Sequence, residues 1–192
     1  PETRFSLDDY GSKGVYVTAK TNGDVKVKAV ITGYQKDIRV LYEVLDAENN
    51  VVASAGDREK LHVDSPILWN GMKNPYLYTL RATLKKGDSL IDKAELRFGF
   101  RDIKFDAKEG CFLNGEYIKL KGVSRHQDRE LIGNALTIAE HKEDLDLIKE
   151  MGANSIRLAH YQQAEEFYDL CDEMGFLVWA EIPVISRFSK AA

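Results

Sequence analysis

Apolar and polar residues alternate from roughly residue 10 to residue 100, a pattern typical of strands with one buried face. The clearest examples are VKVKAV (Val25 to Val30), IRVLYEVL (Ile38 to Leu45) and YLYTLRATLKK (Tyr76 to Lys86). Asn22-Gly23 and the segments DAENN and KGD supply turn signals around them. Short strands at this regular spacing favour an antiparallel sandwich of immunoglobulin-like size. The Cys-Trp-Cys spacing of antibody domains is absent, so this prediction depends on the pattern alone.

After about residue 102 the spacing changes to alternating strands and helices. CFLNGEYIKLKGV predicts a strand, an Asn-Gly turn and a second strand that ends at Gly122 and Val123. A long loop, SRHQDRELIGNAL, follows, and long loops are often functional. Thr137 and Glu140 then fit a capping box at the start of a helix. Its expected buried stripe and its end are Leu145, Ile148, Met151 and Gly152.

A second unit of the same kind follows directly. NSIRLAH predicts a buried strand, and a helix then places Ala164, Phe167, Tyr168 and Cys171 at the spacing of one buried face. That helix ends at Gly175, and FLVWAEIP is the next strand. The tripeptide Glu-Met-Gly closes both helices, at Gly152 and at Gly175. Repeated βα units indicate a parallel sheet, whose strands are apolar on both faces, so we expect Trp179 in the core.

Composition and charge exclude several classes of protein. The 192 residues are 44% hydrophobic and 30% charged, with a net charge of −4. No basic stripe predicts nucleic-acid binding, and no apolar run approaches the roughly 20 residues that span a membrane. Cys111 and Cys171 lack zinc-site spacing, and Cys171 is expected to be a small buried hydrophobe. The first residues carry no signal pattern and no Met, so we expect an internal piece of a longer protein, in a compartment that the sequence leaves open.

Polar residues follow the three expected parallel strands at the end where βα proteins bind ligands. The first strand delivers Arg125, His126 and Asp128, the second His160, and the third Glu181. Two histidines and two carboxylates on one rim can hydrogen-bond a polyhydroxylated ligand or perform acid–base chemistry. Arg157, just before the rim, can hold a carboxylate in its planar fork.

Each of these residues also has a structural interpretation. A histidine at a strand end is often simply hydrogen-bonded for stability, and Asp128 can cap a turn. Arg157 and Glu181 can form an ion pair with each other. The same residue types bind metal ions, but no compact spacing such as HExxH is present, so we expect no metal site and no cofactor.

Several stretches together resemble glycoside hydrolase family 2, the group of β-galactosidases, β-glucuronidases and β-mannosidases. LWNGMKNPYLYTL resembles the end of the family's immunoglobulin-like domain, and FGFRDIKFD resembles its junction to the catalytic barrel. FLNGEYIKLKGVSRHQD resembles the first barrel strand with its histidine-containing loop. MGANSIRLAHYQQAEEFYDLCDEMGFLVWAEIP resembles the second and third strands with the helix between them. The resemblance covers nearly the whole chain, from about residue 10.

The resemblance implies a multidomain fold: an immunoglobulin-like β-sandwich over residues 1–101, then the first three βα units of a TIM (β/α)8 barrel over residues 102–192. It implies a retaining glycosidase that cleaves terminal β-linked sugars, β-galactosidase-like, with a glycoside or oligosaccharide as substrate. His126, Asp128 and His160 would bind sugar hydroxyls. Arg157 would position the nucleophilic carboxylate, and Glu181 would support these groups.

The sequence departs from the family pattern in three places. The acid/base and nucleophile glutamates of the family follow strands four and seven, so both are expected beyond residue 192. The sugar-binding jelly-roll domain is expected to be missing as well. The Glu-x-His magnesium motif is replaced by EIPVISRFSK. We therefore expect no glycosidase activity from this chain alone. We also expect an open barrel edge, which either exposes apolar surface and self-associates, as a homo-oligomer for example, or leaves the barrel part poorly ordered. Its missing partner would be the remainder of the same polypeptide.

Two other interpretations stay open. One is a non-catalytic carbohydrate-binding or interaction module based on the sandwich, which would have no use for polar strand ends in two βα units. The other is a different barrel hydrolase, such as an amidase, which the motif LWNGMKNPYLYTL disfavours. On the family interpretation, Arg157 and His160 should be the least satisfied residues of their strand, because their expected partners are a sugar and a carboxylate outside this chain.

Overall fold

The structure, a computed structural model, describes residues 3–7, 12–33 and 36–183. It divides into two compact units. The first contains the residues up to Trp69 together with Tyr76–Asp102, and the second contains Asn70–Pro75 together with the residues from Ile103 onward. The short segment Asn70–Pro75, which the sequence analysis assigned to the sandwich, therefore groups with the second unit.

The first unit is a β-sandwich, as expected. The strands are β1 (Arg4–Phe5), β2 (Val15–Ala19), β3 (Asp24–Ala29), β4 (Ile31–Thr32), β5 (Ile38–Leu45), β6 (Val51–Gly56), β7 (Leu61–His62), β8 (Tyr78–Lys86) and β9 (Ser89–Phe98). The largest sheet is antiparallel with the strand order β6-β5-β8-β9, and a second sheet has the order β2-β3-β7. A short pair, β1 with β4, completes the unit.

The alternation of β8 explains how the sandwich core forms. Leu80, Ala82 and Leu84 are fully buried. They pair with Val44, Tyr42 and Val40 of β5, all buried, so both strands present their apolar residues on the same face. On the opposite face the Nε of Arg81 donates a 2.8 Å hydrogen bond to Glu95. Strand register is strongly fixed here, because a slip by one residue would reverse every buried side chain.

The second unit begins with a small antiparallel sheet of three strands. These are β10 (Ile103–Asp106), β11 (Gly110–Leu113) and β12 (Glu116–Ile118). The predicted turn at Asn114 and Gly115 joins β11 to β12, with both residues at positive φ. The prediction that YIKLKGV forms one strand was wrong, since β12 ends at Ile118 and β13 (Gly122–Arg125) belongs to a different sheet.

The break between β12 and β13 has a clear physical cause in the side chain of Asn154. Its Nδ2 donates to the Lys119 carbonyl at 2.9 Å, and its Oδ1 accepts from the Lys121 N–H at 2.8 Å. These bonds satisfy backbone groups that would otherwise need a strand partner. The chain can therefore leave one sheet and enter the other within three residues.

The parallel sheet has the order β13-β14-β15, with β14 at Ser155–Leu158 and β15 at Leu177–Ala180. Helix α1 (Ile138–Glu150) precedes β14, and α2 (Glu165–Met174) precedes β15. Ile156 and Leu158 of β14 are buried and form one apolar cluster with Leu145, Phe167 and other residues of the helices. This is the expected βα arrangement of the first part of a barrel.

The start of α1 and the ends of both helices follow local rules, whereas α2 begins after Ala164 without a side-chain cap. The capping box of Thr137 and Glu140 is present, as predicted. Leu145 and Ile148 are buried as predicted, and the buried stripe also includes His141, which was not predicted, but Met151 is 73% exposed. Met151 lies at the C-cap, where the helical stripe no longer faces the sheet. Cys171 is buried as expected, and burial raises the pKa of its thiol to about 12.

In the described part of the chain, no helix has the length and apolar character needed to cross a membrane.

Gly152 and Gly175 provide a matched test of helix termination. Both follow a helix and have left-handed φ angles, 79° and 81°. A Cβ at Gly152 would meet nothing within 4 Å, whereas a Cβ at Gly175 would lie 2.4 Å from the backbone carbon of Gly71. Gly152→Ala should therefore lower the free energy of unfolding by only about 1 kcal/mol, the cost of placing a residue with a Cβ in the left-handed conformation. Gly175→Ala should cost clearly more, because it must also displace the short 3-10 turn Gly71–Lys73.

Thermal denaturation of the two variants checks this prediction. We expect the melting temperature of Gly175→Ala to fall well below that of Gly152→Ala. Equal melting temperatures would show that the 3-10 turn yields without cost.

Candidate functional site

One face of the parallel sheet carries the polar residues of the candidate site. Ser124 pairs with Arg157, and Arg157 pairs with Trp179, so the three side chains project from the same face at the same level. The other face carries Ile156 and Leu158, which pack against the helices. Trp179 is 62% exposed, so its expected place in the core was wrong. An apolar strand sequence does not reveal which of its faces the surrounding chain covers.

Arg157 and Glu181 form a two-pronged ion pair at the end of this face. The Arg157 Nε donates to Glu181 Oε1 at 2.8 Å, and Nη2 donates to Oε2 at 3.0 Å. Nη1 donates to the Ser124 hydroxyl at 3.3 Å. Paired bonds between a guanidinium and a carboxylate fix both groups in orientation as well as position. The expectation that Arg157 and His160 would be poorly satisfied was therefore wrong, because Glu181 lies within reach of both.

His160 joins the pair through its Nδ1 atom. This nitrogen lies 2.9 Å from Arg157 Nη2 and 3.3 Å from Glu181 Oε2. A guanidinium can only donate, so Nδ1 accepts from Arg157 when it carries no proton and donates to Glu181 when it carries one. Both contacts use Nδ1, and Nε2 takes part in neither of them.

The surroundings of Glu181 favour its ionised form. The hydrogen bonds from Arg157 are the main cause that lowers the pKa of the Glu181 carboxyl, and His160 adds to the effect. The lower pKa favours the carboxylate, and with it the ion pair, in mildly acidic conditions. The backbone carbonyl of Glu181 also accepts a 2.8 Å bond from Gln162 Nε2, which anchors the residue.

His126 approaches the same cluster from the first strand. Its ring centroid lies 5.5 Å from that of His160 and 5.9 Å from that of Tyr161. Tyr161 also accepts a 3.0 Å bond from the Gln127 N–H, so the loops that follow β13 and β14 are joined directly. Asp128 is exposed shortly after the end of β13. Within the part of the chain that the structure describes, it lies outside the contacts that join the other four site residues.

Arg125 does not lie on the rim, contrary to the sequence analysis. Strand β13 extends to Arg125, and the alternation of the strand directs this side chain to the helix-facing side, where it is 6% exposed. It donates to Asp144 of α1 at 2.7 and 3.0 Å and to Gln163, which precedes α2. The predicted strand ended at Val123, two residues before the observed end of β13, and this placed Arg125 beyond the rim.

An open cavity of about 480 Å³ lies over the sheet face. Ser124, Arg157 and Glu181 provide its polar part, and Phe105, Leu120 and Trp179 are among its apolar lining. Phe105 is 66% and Trp179 62% exposed, so this chain does expose apolar surface, as expected. No cluster of metal-ligating side chains occurs among residues 3–7, 12–33 and 36–183. Most of the stretch after Glu181, which decided against the magnesium motif, lies outside the described residues.

Sequence reasoning missed Ser124, Gln127 and Gln162 as members of this region. Ser124 could have been found from the register of parallel strands, since it has the same alternation as Arg157. The glutamines carry no such signal, because their role depends on which loops lie side by side.

A sandwich followed by βα units with a histidine, arginine and glutamate cluster at the strand ends is the architecture of a barrel hydrolase with an appended β domain. Comparison with family models makes this assignment specific. Residues 2–101 match the model described as "Glycosyl hydrolases family 2". Residues 106–191 match "Glycosyl hydrolases family 2, TIM barrel domain". The chain belongs to glycosyl hydrolase family 2, as the resemblance indicated.

Individual relatives agree with the family assignment. The chain is 37% identical to a β-glucuronidase of Bacteroides fragilis, over 96% of this chain and 29% of that protein. It is 31% identical to a β-galactosidase of Thermoanaerobacter pseudethanolicus, over 92% of this chain and 26% of the relative. It superposes with a TM-score of 0.89 and 41% identity on the crystal structure of an FMN-binding β-glucuronidase from Facaelibacterium prausnitzii L2-6, over 95% of this chain and 30% of that one. The chain thus spans less than a third of the length of these relatives.

Proposed function

We propose that the complete gene product is a retaining glycosidase that removes terminal β-linked sugars. The observation that carries this proposal is the cluster of Arg157, His160 and Glu181 at the carboxyl ends of two adjacent strands, in a chain of glycosyl hydrolase family 2. Retaining hydrolysis needs two further carboxylates, an acid/base and a nucleophile. We expect both in the part of the complete gene product that corresponds to the regions of the relatives outside the match.

In this proposal the described residues bind and orient the sugar. His126, Asp128 and His160 bind its hydroxyl groups, with His160 using its Nε2 atom. Arg157 holds the nucleophilic carboxylate through the N–H of Nη1 that has no partner within the described residues. Glu181 fixes Arg157 and His160 in place, which keeps that donor aimed at one point.

β-Glucuronides are the substrates we propose first, and β-galactosides second. The relatives of 37% and 41% identity are named β-glucuronidases, whereas the relative of 31% identity is named a β-galactosidase. The expectation from the sequence alone was a β-galactosidase-like enzyme. Because the two relatives with higher identity are named β-glucuronidases, we place β-glucuronides before β-galactosides.

The test is turnover of 4-nitrophenyl β-glucuronide and β-galactoside by the complete gene product, with the matching α-glycosides as controls. We expect one of the two β-glycosides to be hydrolysed. The β anomer of the released sugar should appear first in the NMR spectrum of the products, as retention requires. Absence of turnover with both β-glycosides would contradict the proposal. Sugar binding by calorimetry without turnover would favour the non-catalytic carbohydrate-binding module instead.

A further inference from the structure

We propose that Arg125 is a positioning residue for the sugar-binding site, acting from the opposite side of the sheet through His126. The proposal depends on the proposed function, because it assigns His126 to the sugar. Arg125 itself cannot touch a ligand in the cavity, since its side chain is 6% exposed and faces the helices.

The guanidinium of Arg125 connects β13, the strand that carries it, to α1 and α2 at the end of the sheet where the site lies. Nε and Nη2 donate to Asp144 of α1, at 3.0 and 2.7 Å. Nη2 also donates to His141 Nδ1 at 2.9 Å, and Nη1 donates to Gln163 at the start of α2. The guanidinium carbon lies 4.1 Å from the ring centroid of Phe167 in α2. A lysine has a single charged nitrogen and could not make these separate contacts at once.

The backbone of Arg125 is held as firmly as its side chain. Its carbonyl accepts hydrogen bonds from Gln163 Nε2 at 3.0 Å and from the Ala159 N–H at 3.1 Å. Gln163 therefore accepts from the side chain of Arg125 and donates to its carbonyl. The peptide group between Arg125 and His126 is thus held in place by Ala159, which follows β14, and by Gln163, which precedes α2.

Hydrogen bonds to neighbouring parts of the chain also fix the residues that follow Arg125. The Gln127 N–H donates to the Tyr161 hydroxyl at 3.0 Å, and its side-chain oxygen accepts from the Ala164 N–H at 2.7 Å. His126 lies between these two fixed residues. Its ring is placed against His160 and Tyr161 with no hydrogen bond of its own among the described residues. The anchoring of Arg125 and Gln127 consequently fixes the backbone from which the His126 ring projects.

Arg129 offers a matched control for Arg125. It also pairs with Asp144, through Nη2 at 3.2 Å, and with Glu143 at 2.8 Å. Its side chain is 32% exposed. Arg129→Lys therefore perturbs the same carboxylate without removing the buried links to α2. A structural role shared by the two arginines would give similar effects in Arg125→Lys and Arg129→Lys.

The functional test is a double-mutant cycle in the complete gene product, with the nitrophenyl β-glycoside that it hydrolyses. Arg125→Lys should lower kcat/KM on the order of tenfold, mainly through a higher KM, because a displaced His126 weakens binding of substrate and transition state alike. Arg129→Lys should change kcat/KM less than threefold. In a His126→Ala background, Arg125→Lys should have no further effect, since the group through which it acts is gone. Multiplicative effects of the two substitutions would overturn the proposal.

A second measurement is independent of catalysis. In selectively labelled protein, the imidazole NMR signal of His126, assigned with a His126→Gln variant, should shift in Arg125→Lys and stay in place in Arg129→Lys. Gln163→Met, which keeps the buried volume and removes both amide contacts, should shift the signal in the same way and decides the matter if Arg125→Lys does not fold. An unchanged His126 signal would overturn the positioning role. A wild-type protein without glycosidase activity but with the expected NMR shifts would instead contradict only the proposed function.

Discussion

Replacing Glu181 by glutamine in the complete gene product is expected to lower kcat/KM about 100-fold, equivalent to roughly 2.7 kcal/mol of transition-state stabilisation. Glu181 accepts both Nε and Nη2 of Arg157 and lies 3.3 Å from His160 Nδ1. Glutamine keeps the shape, but its NH2 group must face one of these donors. The fork then opens, and both Arg157 and His160 lose the group that fixes them. A misplacement of about 1 Å in a reacting or binding group is enough for a loss of this size.

Glu150→Gln is the matched control, since Glu150 is an exposed residue at the end of α1. We expect its kcat/KM to stay within a factor of about two of the parent, as for most surface substitutions. The measurement is steady-state hydrolysis of the preferred nitrophenyl glycoside. If Glu181→Gln behaves like Glu150→Gln, the ion pair with Arg157 is structural and does not serve the sugar site.

Leu80→Ala is expected to produce the largest loss of stability in the sandwich. Leu80 is fully buried in β8 and pairs with Val44 on one side and Leu96 on the other. Removing three carbon atoms from such a site leaves a cavity, and substitutions of this kind cost about 3 kcal/mol. Backbone amides of β8 that exchange through unfolding of the unit should then exchange about 100-fold faster.

Leu90→Ala is the matched control in the neighbouring strand β9. Its side chain is 62% exposed, so the same chemical change removes little buried surface. Hydrogen exchange of β8 and β9 peptides, followed by mass spectrometry, should distinguish the two variants. Equal exchange rates in both variants would mean that the sandwich core repacks around the smaller side chain at position 80.

Local patterns determined much of this fold. The alternation of IRVLYEVL matched β5, Ile38–Leu45, and the capping box at Thr137 marked the start of α1. Gly152 and Gly175 both adopt the left-handed conformation expected at helix ends. In each case the physical cause lies within a few neighbouring residues, so a single sequence contains enough information.

Errors occurred where a distant residue controls the local structure. The end of β12 depends on Asn154, which lies beyond the following helix, and an early end of the first strand placed Arg125 on the wrong face. The candidate site shows the same limit. His160 and Glu181 were found from their positions at strand ends. The ion pair of Arg157 with Glu181 was one of two interpretations that the residues left open, and the choice between them depends on the arrangement of three strands. The resemblance to a family supplied the chemistry that the residues alone left open.

The side chain of Asn154 has a consequence for how this unit can move. Its amide donates to Lys119 and accepts from Lys121 at the crossing between the small antiparallel sheet and the parallel sheet. The backbone N–H groups of Asn154 and Ser155 also donate to the Lys121 carbonyl. A substitution of Asn154 would remove the two side-chain bonds and leave the backbone bonds, so we expect it to make the crossing more mobile without changing any strand.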